Sequence, residues 1–124
     1  VYFALNYNGN FKFFPKHNDD KKILNIFNKD QKSDKGIGEV AVGPDCTELI
    51  NKVFKRTHKT YVLDSTWDVS KNYEFQIYFL NFCREIIQKN KLNFDDWLKF
   101  RLKCIKEKNS RFILNNTDFL AIKK

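Results

Sequence analysis

The sequence predicts an α+β fold in which a small, mostly antiparallel sheet carries helices packed on one face. One observation behind this prediction is the repetition of apolar side chains at helical spacing in residues 73–88. The other is a series of short aromatic and β-branched runs, bounded by Asn, Gly and Pro, which is typical of strands. Along the chain these segments give the order β-β-α-β-α-β-α-α, and a last strand can follow them. With 124 residues, the chain is expected to form a single domain over positions 1–124.

The chain opens with two aromatic-rich runs, Tyr2–Tyr7 and Phe11–Phe14, which are joined by an Asn-Gly-Asn sequence. Asn-Gly between such runs favours a type I′ turn, since both residues tolerate positive φ. The pattern therefore predicts a β-hairpin. Pro15 is expected to end its second strand because proline has no N–H to donate to a sheet.

The next segment predicts a short helix that starts at Asn18-Asp19-Asp20, where side-chain acceptors and negative charge suit a helix N-terminus. Its apolar face ends near Asn28, and a polar loop over residues 29–35 follows. Residues 36–43 alternate enough to be a strand. Their glycine spacing fits neither the dinucleotide fingerprint nor the P-loop, so nucleotide binding is not expected there.

A second helix is predicted after Pro44, with Asp45 and Glu48 in the relation of a capping box. Basic residues gather toward its C-terminal end, where cations also suit the helix dipole. They are Lys52, Lys55, Arg56 and Lys59. Residues 60–66 follow as a β-branched and aromatic strand, and a turn with Ser70 as the expected cap leads to the long helix.

The long helix over residues 73–88 is the best-determined element, and its apolar face predicts a buried helix. The side chains on that face are Tyr73, Phe75, Ile77, Tyr78, Phe79, Leu80, Phe82, Cys83, Ile86 and Ile87. A last helix is expected from Asn93 onward, with Trp97 and Leu98 facing inward. A second, basic face of this helix carries Lys99, Lys103 and Lys106, flanked by Arg101. Two short extended pieces, 111–114 and 119–122, should enclose an Asn-Asn-Thr turn.

The net charge of +8 and the pI near 9.4 favour a partner that carries phosphate, which means nucleic acid or an anionic membrane surface. Compositional bias is the alternative explanation, because an AT-rich coding sequence enriches Lys, Asn, Ile and Phe together. No apolar run approaches the roughly 18 residues of a membrane span. Cys46, Cys83 and Cys104 have no metal-binding spacing and are expected to be reduced, mostly buried thiols of an intracellular protein. The sequence thus predicts no metal and no cofactor.

Several segments resemble those of a LAGLIDADG-type homing endonuclease or maturase unit. They are DDKKILNIF, GIGEV, TYVLDS and, most extensively, the paired helices of IYFLNFCREIIQKNKLNFDDWLKFRLKCIKEKN. The resemblance implies a saddle of antiparallel strands that holds duplex nucleic acid. In that family the acid ending each signature helix binds a divalent metal, but this sequence contains no LAGLIDADG-like segment. The resemblance therefore assigns no catalytic residue here.

Other catalytic candidates are few. His17 and His58 are the only general-base candidates for neutral pH, and a small ribonuclease would need both within reach of one phosphate. Each lies beside a Lys, a setting that suits phosphodiester cleavage. We interpret both as ordinary loop histidines. The acid pairs Asp19-Asp20 and Asp95-Asp96 stand at predicted helix starts, where a structural role is expected.

The sequence thus predicts a nucleic-acid-binding protein without chemistry of its own. Structured RNA or duplex DNA would be held through phosphates by the eight basic residues above, with exposed aromatic rings available for stacking. An organellar, for example mitochondrial, ribonucleoprotein assembly is compatible with the charge and the composition. Two alternatives stay open. One is a nuclease, either homing-endonuclease-like or histidine-dependent, and the other is a protein-interaction module whose charge is only compositional.

Overall fold

The computed structural model describes residues 1–33 and 43–124. Their four strands form one sheet in the order β1-β4-β2, and β3 pairs with β4. The pairing of β2 with β4 is antiparallel, from His58 opposite Lys123 to Asp64 opposite Thr117. The predicted α+β class with an antiparallel sheet is therefore confirmed. The elements are β1 (Tyr2–Phe14), α1 (Asp20–Gln31), a 3-10 turn (Gly43–Asp45), α2 (Cys46–Phe54), β2 (His58–Asp64), β3 (Trp67–Asp68), α3 (Tyr73–Lys89), α4 (Asp95–Lys106) and β4 (Arg111–Lys123).

The contacts of the chain divide it into two compact units. The strand unit consists of Val1–Asn10, Gln31–Trp67 and Leu114–Lys124. The helical unit consists of Phe11–Asp30 and Asp68–Ile113. Each of the long strands β1 and β4 contributes residues to both units.

An aromatic cluster forms the core of the helical unit. The Phe13 and Phe112 rings stack with their centroids 4.4 Å apart. Phe79 of α3 lies 4.8 Å from Phe112 and 5.0 Å from Phe11. Phe27 of α1 and Trp97 of α4 complete the cluster, and Trp97 Nε1 donates a 2.7 Å hydrogen bond to Asp20 Oδ1 at the start of α1. Three helices thus pack on the aromatic face of the strands in this unit.

Helix α3 runs over Tyr73–Lys89, close to its predicted bounds. Its N-cap is Asn72, whose side chain accepts a 3.0 Å hydrogen bond from the Phe75 N–H, so Ser70 is not the cap. Six of its residues are buried, including Phe79, Cys83 and Ile86. The predicted buried face is too wide, because Tyr78 is 69% exposed and Ile77 also faces solvent.

The buried amide of Gln76 joins α3 to two loops of the helical unit. Its Nε2 lies 3.1 Å from the carbonyl oxygens of both Val69 and Ser70, and 3.3 Å from that of Ser110. The Ser110 hydroxyl donates to Gln76 Oε1 over 2.5 Å. Because a buried polar group without partners costs about 1–3 kcal/mol, this network fixes both loops on the helix.

The core of the strand unit is built around Phe119 of β4. Its ring lies 6.2 Å from Phe3 of β1 and 6.0 Å from Phe54 of α2. The hydroxyls of Thr47 and Thr117 lie 3.0 Å apart and join α2 to β4. Helix α2 therefore packs on the Phe119 side of the strands in this unit.

The predicted N-terminal hairpin is wrong, because residues 2–14 form the single strand β1. Val1 exchanges two backbone hydrogen bonds with Ala121, and Phe13 stacks on Phe112, so each end of this segment lies beside β4. Gly9 does adopt a positive φ of 97°, as the turn motif suggests, but within a continuing strand. Pairing with a distant strand overrides the local turn preference.

Two further boundaries differ from the prediction. Residues 111–123 form one strand, β4, and Asn116 is buried in it where a turn was expected. Helix α1 continues past Asn28 to Gln31, since the buried Asp30 accepts a 2.9 Å hydrogen bond from Lys89 Nζ. The strand predicted over residues 36–43 lies outside the described residues, except for Gly43.

The cysteines of the described residues are free. Cys83 and Cys104 are buried and Cys46 is half-buried, as predicted. Burial raises the pKa of the Cys83 thiol to about 12, so this side chain stays protonated and behaves as a small apolar group.

We expect Phe79→Ala to lower the free energy of unfolding by about 3–5 kcal/mol, because it empties the centre of the aromatic cluster. Urea or thermal unfolding measures this loss. Tyr78→Ala, an exposed neighbour on the same helix, is the control and should change the stability by less than about 0.5 kcal/mol. Equal losses in the two variants would contradict the described orientation of α3.

Candidate nucleic-acid interface

The basic residues at the end of α2 divide into one paired and three unpaired side chains. Lys52 forms a 3.1 Å ion pair with Glu48 one turn earlier, and this carboxylate offsets part of the attraction of Lys52 for an anionic partner. Lys55, Arg56 and Lys59 are exposed, and none of them takes part in an ion pair with the described residues. Lys55 caps α2, and a short turn leads from it into β2. The predicted basic cluster is therefore present, with three residues carrying its free charge.

Strand alternation places Lys59 on the side of the sheet opposite to Phe119. Val62 lies opposite Phe119, whereas Lys59 and Tyr61 lie opposite Ile122 and Leu120. Residues directly opposite each other in an antiparallel pair share a face, and neighbours along a strand alternate between faces. Lys59, Tyr61 and Leu63 therefore share the face that α2 does not cover.

A row of side chains crosses this face from β2 to β1. Val1 and Ala121 form a hydrogen-bonded pair, which sets Tyr2 opposite Leu120, the residue that also faces Tyr61. Tyr2 is 59% exposed and Tyr61 37% exposed. Two strand spacings, about 10 Å, separate the two tyrosines. We call Tyr2, Lys59, Tyr61, Leu63 and Ile122 the open sheet face.

Polar contacts orient the aromatic rings of the open sheet face. The Tyr2 hydroxyl donates a 2.5 Å hydrogen bond to Asp118 Oδ2, and this bond raises the pKa of Tyr2 above its ordinary value. Lys59 Nζ lies 5.5 Å from the centre of the Tyr61 ring, within range of a cation–π interaction. A cation thus lies beside an accessible ring, a combination suited to phosphate and base together.

The predicted basic row on α4 is also at the surface. Lys99, Lys103 and Lys106 are exposed. Lys103 Nζ lies 4.0 Å from a Glu107 oxygen, a weak surface pair. This row belongs to the helical unit, whereas the cluster at the end of α2 belongs to the strand unit.

Arg101 does not lie on the basic face of α4, where it was predicted. Its exposed fraction is 0%, and its guanidinium lies 4.6 Å from the Phe100 ring centre and 5.3 Å from that of Phe13. It donates a hydrogen bond to the Pro15 carbonyl. Burial lowers its pKa, and Asp20 acts in the opposite direction. Arg101 therefore ties α4 to the loop before α1 and does not face a partner.

The two histidines have separate structural partners. His17 belongs to the helical unit and His58 to the strand unit. His17 Nδ1 accepts a 3.0 Å hydrogen bond from the Asp19 N–H, and its backbone N–H donates to Asp20 Oδ2, so it helps to start α1. His58 Nδ1 lies 2.8 Å from the Thr57 hydroxyl, and its ring packs on Phe54.

The acid pairs stand at helix starts, as predicted. Helix α1 begins at Asp20 and α4 at Asp95. Asp20 binds both the His17 N–H and Trp97 Nε1 through its two oxygens, which gives it a structural role. Within residues 1–33 and 43–124, no group of three or more His, Cys, Asp or Glu side chains is arranged to hold a metal ion.

The tyrosines of the open sheet face are site residues that the sequence pattern did not identify. The pattern placed Tyr2 in a hairpin and Tyr61 in a strand without a defined face. The period-two alternation of His58–Asp64 could have placed Lys59, Tyr61 and Leu63 together. It could not have shown that their face is exposed, since both faces of this strand carry apolar residues.

Comparison with known proteins gives no match, whether to a family model, to a curated protein or to a solved structure. None of the helices in the described ranges combines the length and apolar character that a bilayer-crossing segment requires.

Proposed function

We propose that this protein binds structured RNA or duplex DNA and has no chemistry of its own. The observation that carries the proposal is the open sheet face, where Lys59 and Tyr61 lie together and Tyr2 stands across Leu120. Unpaired bases of structured RNA stack on such rings, and each stacked base contributes about 1–3 kcal/mol. Lys55 and Arg56 lie just before β2, where they can contact the phosphates that flank a stacked base.

The surface lysines of α4 supply a further phosphate-contacting row. Lys99 and Lys106 have no carboxylate partner among the described residues, so their charge is available to a polyanion. The resemblance to LAGLIDADG-type units supports the proposal as well, since those proteins hold nucleic acid on antiparallel strands. An organellar ribonucleoprotein is the assembly that the charge and composition favour.

A protein-interaction module is the second candidate, and a specific observation favours it. Leu63 and Ile122 on the open sheet face are 53% and 52% exposed, and aliphatic side chains add little to nucleic-acid binding. An apolar protein surface would cover them better. Nucleic-acid titrations distinguish the two candidates, because a module of this kind would bind RNA and DNA only weakly and without stacking.

Replacing Lys55, Arg56 and Lys59 with Gln should weaken binding to all sequences and lower the salt slope by about 0.7–0.9 for each basic side chain that binds a phosphate in the wild type. Replacing Lys99, Lys103 and Lys106 in the same way tests the α4 row. Fluorescence anisotropy with a labelled hairpin RNA and a labelled DNA duplex, at several salt concentrations, gives each slope. The control exchanges Lys21, Lys22 and Lys29 of α1, which removes the same charge. A slope that falls equally in all three variants would mean that net charge alone drives binding.

Tyr61→Ala should weaken binding of an RNA hairpin with an unpaired loop by about 1–3 kcal/mol, because it removes a stacking ring. The salt slope should not change, since every basic side chain is retained. Tyr61→Phe keeps the ring and should bind like the wild type. If Tyr61→Ala binds as tightly as Tyr61→Phe, bases do not stack on the open sheet face.

The purified chain is expected not to cut nucleic acid. Metal-assisted hydrolysis needs carboxylates that hold the ion and orient water, and Asp19-Asp20 and Asp95-Asp96 stand at helix starts. Labelled duplex DNA and structured RNA, incubated with and without magnesium, provide the test. Magnesium-dependent cleavage would support a homing endonuclease. Metal-independent RNA cleavage that His17→Ala or His58→Ala abolishes would support a ribonuclease.

A further inference from the structure

A pocket of about 590 Å³ lies in the helical unit, and its lining includes none of the basic residues described above. Its walls come from two segments, the loop that leads into α3 and the turn between α4 and β4. The volume falls in the range of about 300–1,000 Å³ that is usual for small-molecule sites. The pocket is therefore large enough for more than an inorganic ion.

The lining is strongly basic. The lining residues include three cations, Lys71, Lys108 and Arg111, and one carboxylate, Asp68, which leaves two positive charges in excess. None of the ion pairs of the described residues includes any of the three cations. The Arg111 guanidinium lies 5.5 Å from the centre of the Phe14 ring, a contact that leaves its N–H groups able to donate to a ligand together with the two ammonium groups.

Asp68 is held by its own loop. Its Oδ1 accepts hydrogen bonds from the Ser70 N–H at 3.0 Å and the Ser70 hydroxyl at 2.5 Å. These bonds, and then the charges of Arg111 and Lys71, lower the pKa of Asp68. The carboxylate therefore shapes the loop, and Arg111 and Lys71 also favour its charged form.

The walls are fixed by bonds to the core. Gln76 binds the carbonyls of Val69, Ser70 and Ser110, as described above. The Val69 N–H donates to the Phe112 carbonyl, and the Phe112 N–H donates to the Ser70 hydroxyl. The Tyr73 hydroxyl donates to the Lys108 carbonyl over 3.1 Å. The backbone of these walls therefore loses little conformational freedom when a ligand binds, which favours affinity.

We propose that this pocket binds a phosphate monoester, the group carried by a 5′-phosphorylated nucleic-acid end and by a free mononucleotide. A monoester carries about −1.5 to −2 charges at neutral pH and matches the two excess positive charges, whereas a backbone diester carries only one charge. Arg111 can bind two phosphate oxygens at once, and Lys71 and Lys108 can neutralise the remaining charge. For a nucleic-acid end the inference rests on the proposed function. For a mononucleotide it stands alone.

The test compares two RNA strands of the same sequence, one with a 5′-phosphate and one with a 5′-hydroxyl, both labelled at the 3′ end. A second arm titrates AMP and adenosine by calorimetry. The pocket variant is Lys71→Gln with Arg111→Gln. The control is Lys21→Gln with Lys29→Gln on α1, which removes the same charge from positions outside the pocket. Thermal melts verify that both variants are folded.

We expect the wild type to prefer the phosphorylated strand by about tenfold, as strong charge-assisted bonds allow. The pocket variant should lose this preference. Its affinity for the RNA with a 5′-hydroxyl should equal that of the control variant. If AMP binds, adenosine does not, and the pocket variant loses AMP binding, the pocket binds a mononucleotide. This conclusion holds even if neither RNA strand binds, but the proposed function is then wrong. If the RNA strands bind without a phosphate preference and AMP does not bind, the pocket proposal is wrong and the proposed function is unaffected. A preference that the pocket variant retains also overturns it.

Discussion

The structure depends on the burial of an aromatic ring of β4 in each unit. Phe112 and Phe119 are both fully buried. In the helical unit, Phe112 packs on Phe13 and Phe79, and in the strand unit Phe119 packs between Phe3 and Phe54. Burying a ring of this size stabilises the fold by roughly 1.5–3 kcal/mol, more than a local turn preference can offset. This constraint explains why β1 extends along β4 and does not fold back on itself at Gly9.

The helices could be predicted from the sequence because their signals are local. The 3.6-residue period of α3 and the acids at the starts of α1 and α4 each lie within one segment. The long strands could not be predicted, since the partner of β1 is more than a hundred residues away. The inward position of Arg101 was missed for a different reason. Its neighbours at i±3 and i±4 on α4 are all apolar and buried, so the helical period places it on the inner face although its side chain is charged.

The candidate interface was predicted in part. Exposed lysines follow from composition and helical spacing, so Lys55, Arg56 and the α4 row were identified correctly as surface positions. The open sheet face could be recognised only from the strand register, because Tyr2 and Tyr61 lie on opposite sides of the same residue, Leu120. The pocket could be recognised only from the tertiary structure, because the buried Gln76 joins two loops that are far apart in the sequence. A site assembled from separate segments leaves no continuous pattern in the sequence.

Compositional bias alone predicts lysines that are distributed without regard to their neighbours. Within residues 1–33 and 43–124, five lysines lie within 4.0 Å of a carboxylate, namely Lys22, Lys32, Lys52, Lys89 and Lys103. The three basic side chains around the end of α2 and the three around the pocket have no such partner among those residues. Each of these two groups also contains an arginine, and the chain has only four. Arginine is the side chain that binds phosphate through a planar fork, whereas AT-rich coding bias chiefly increases lysine. The placement of the arginines therefore supports the proposed phosphate recognition more than the number of lysines does.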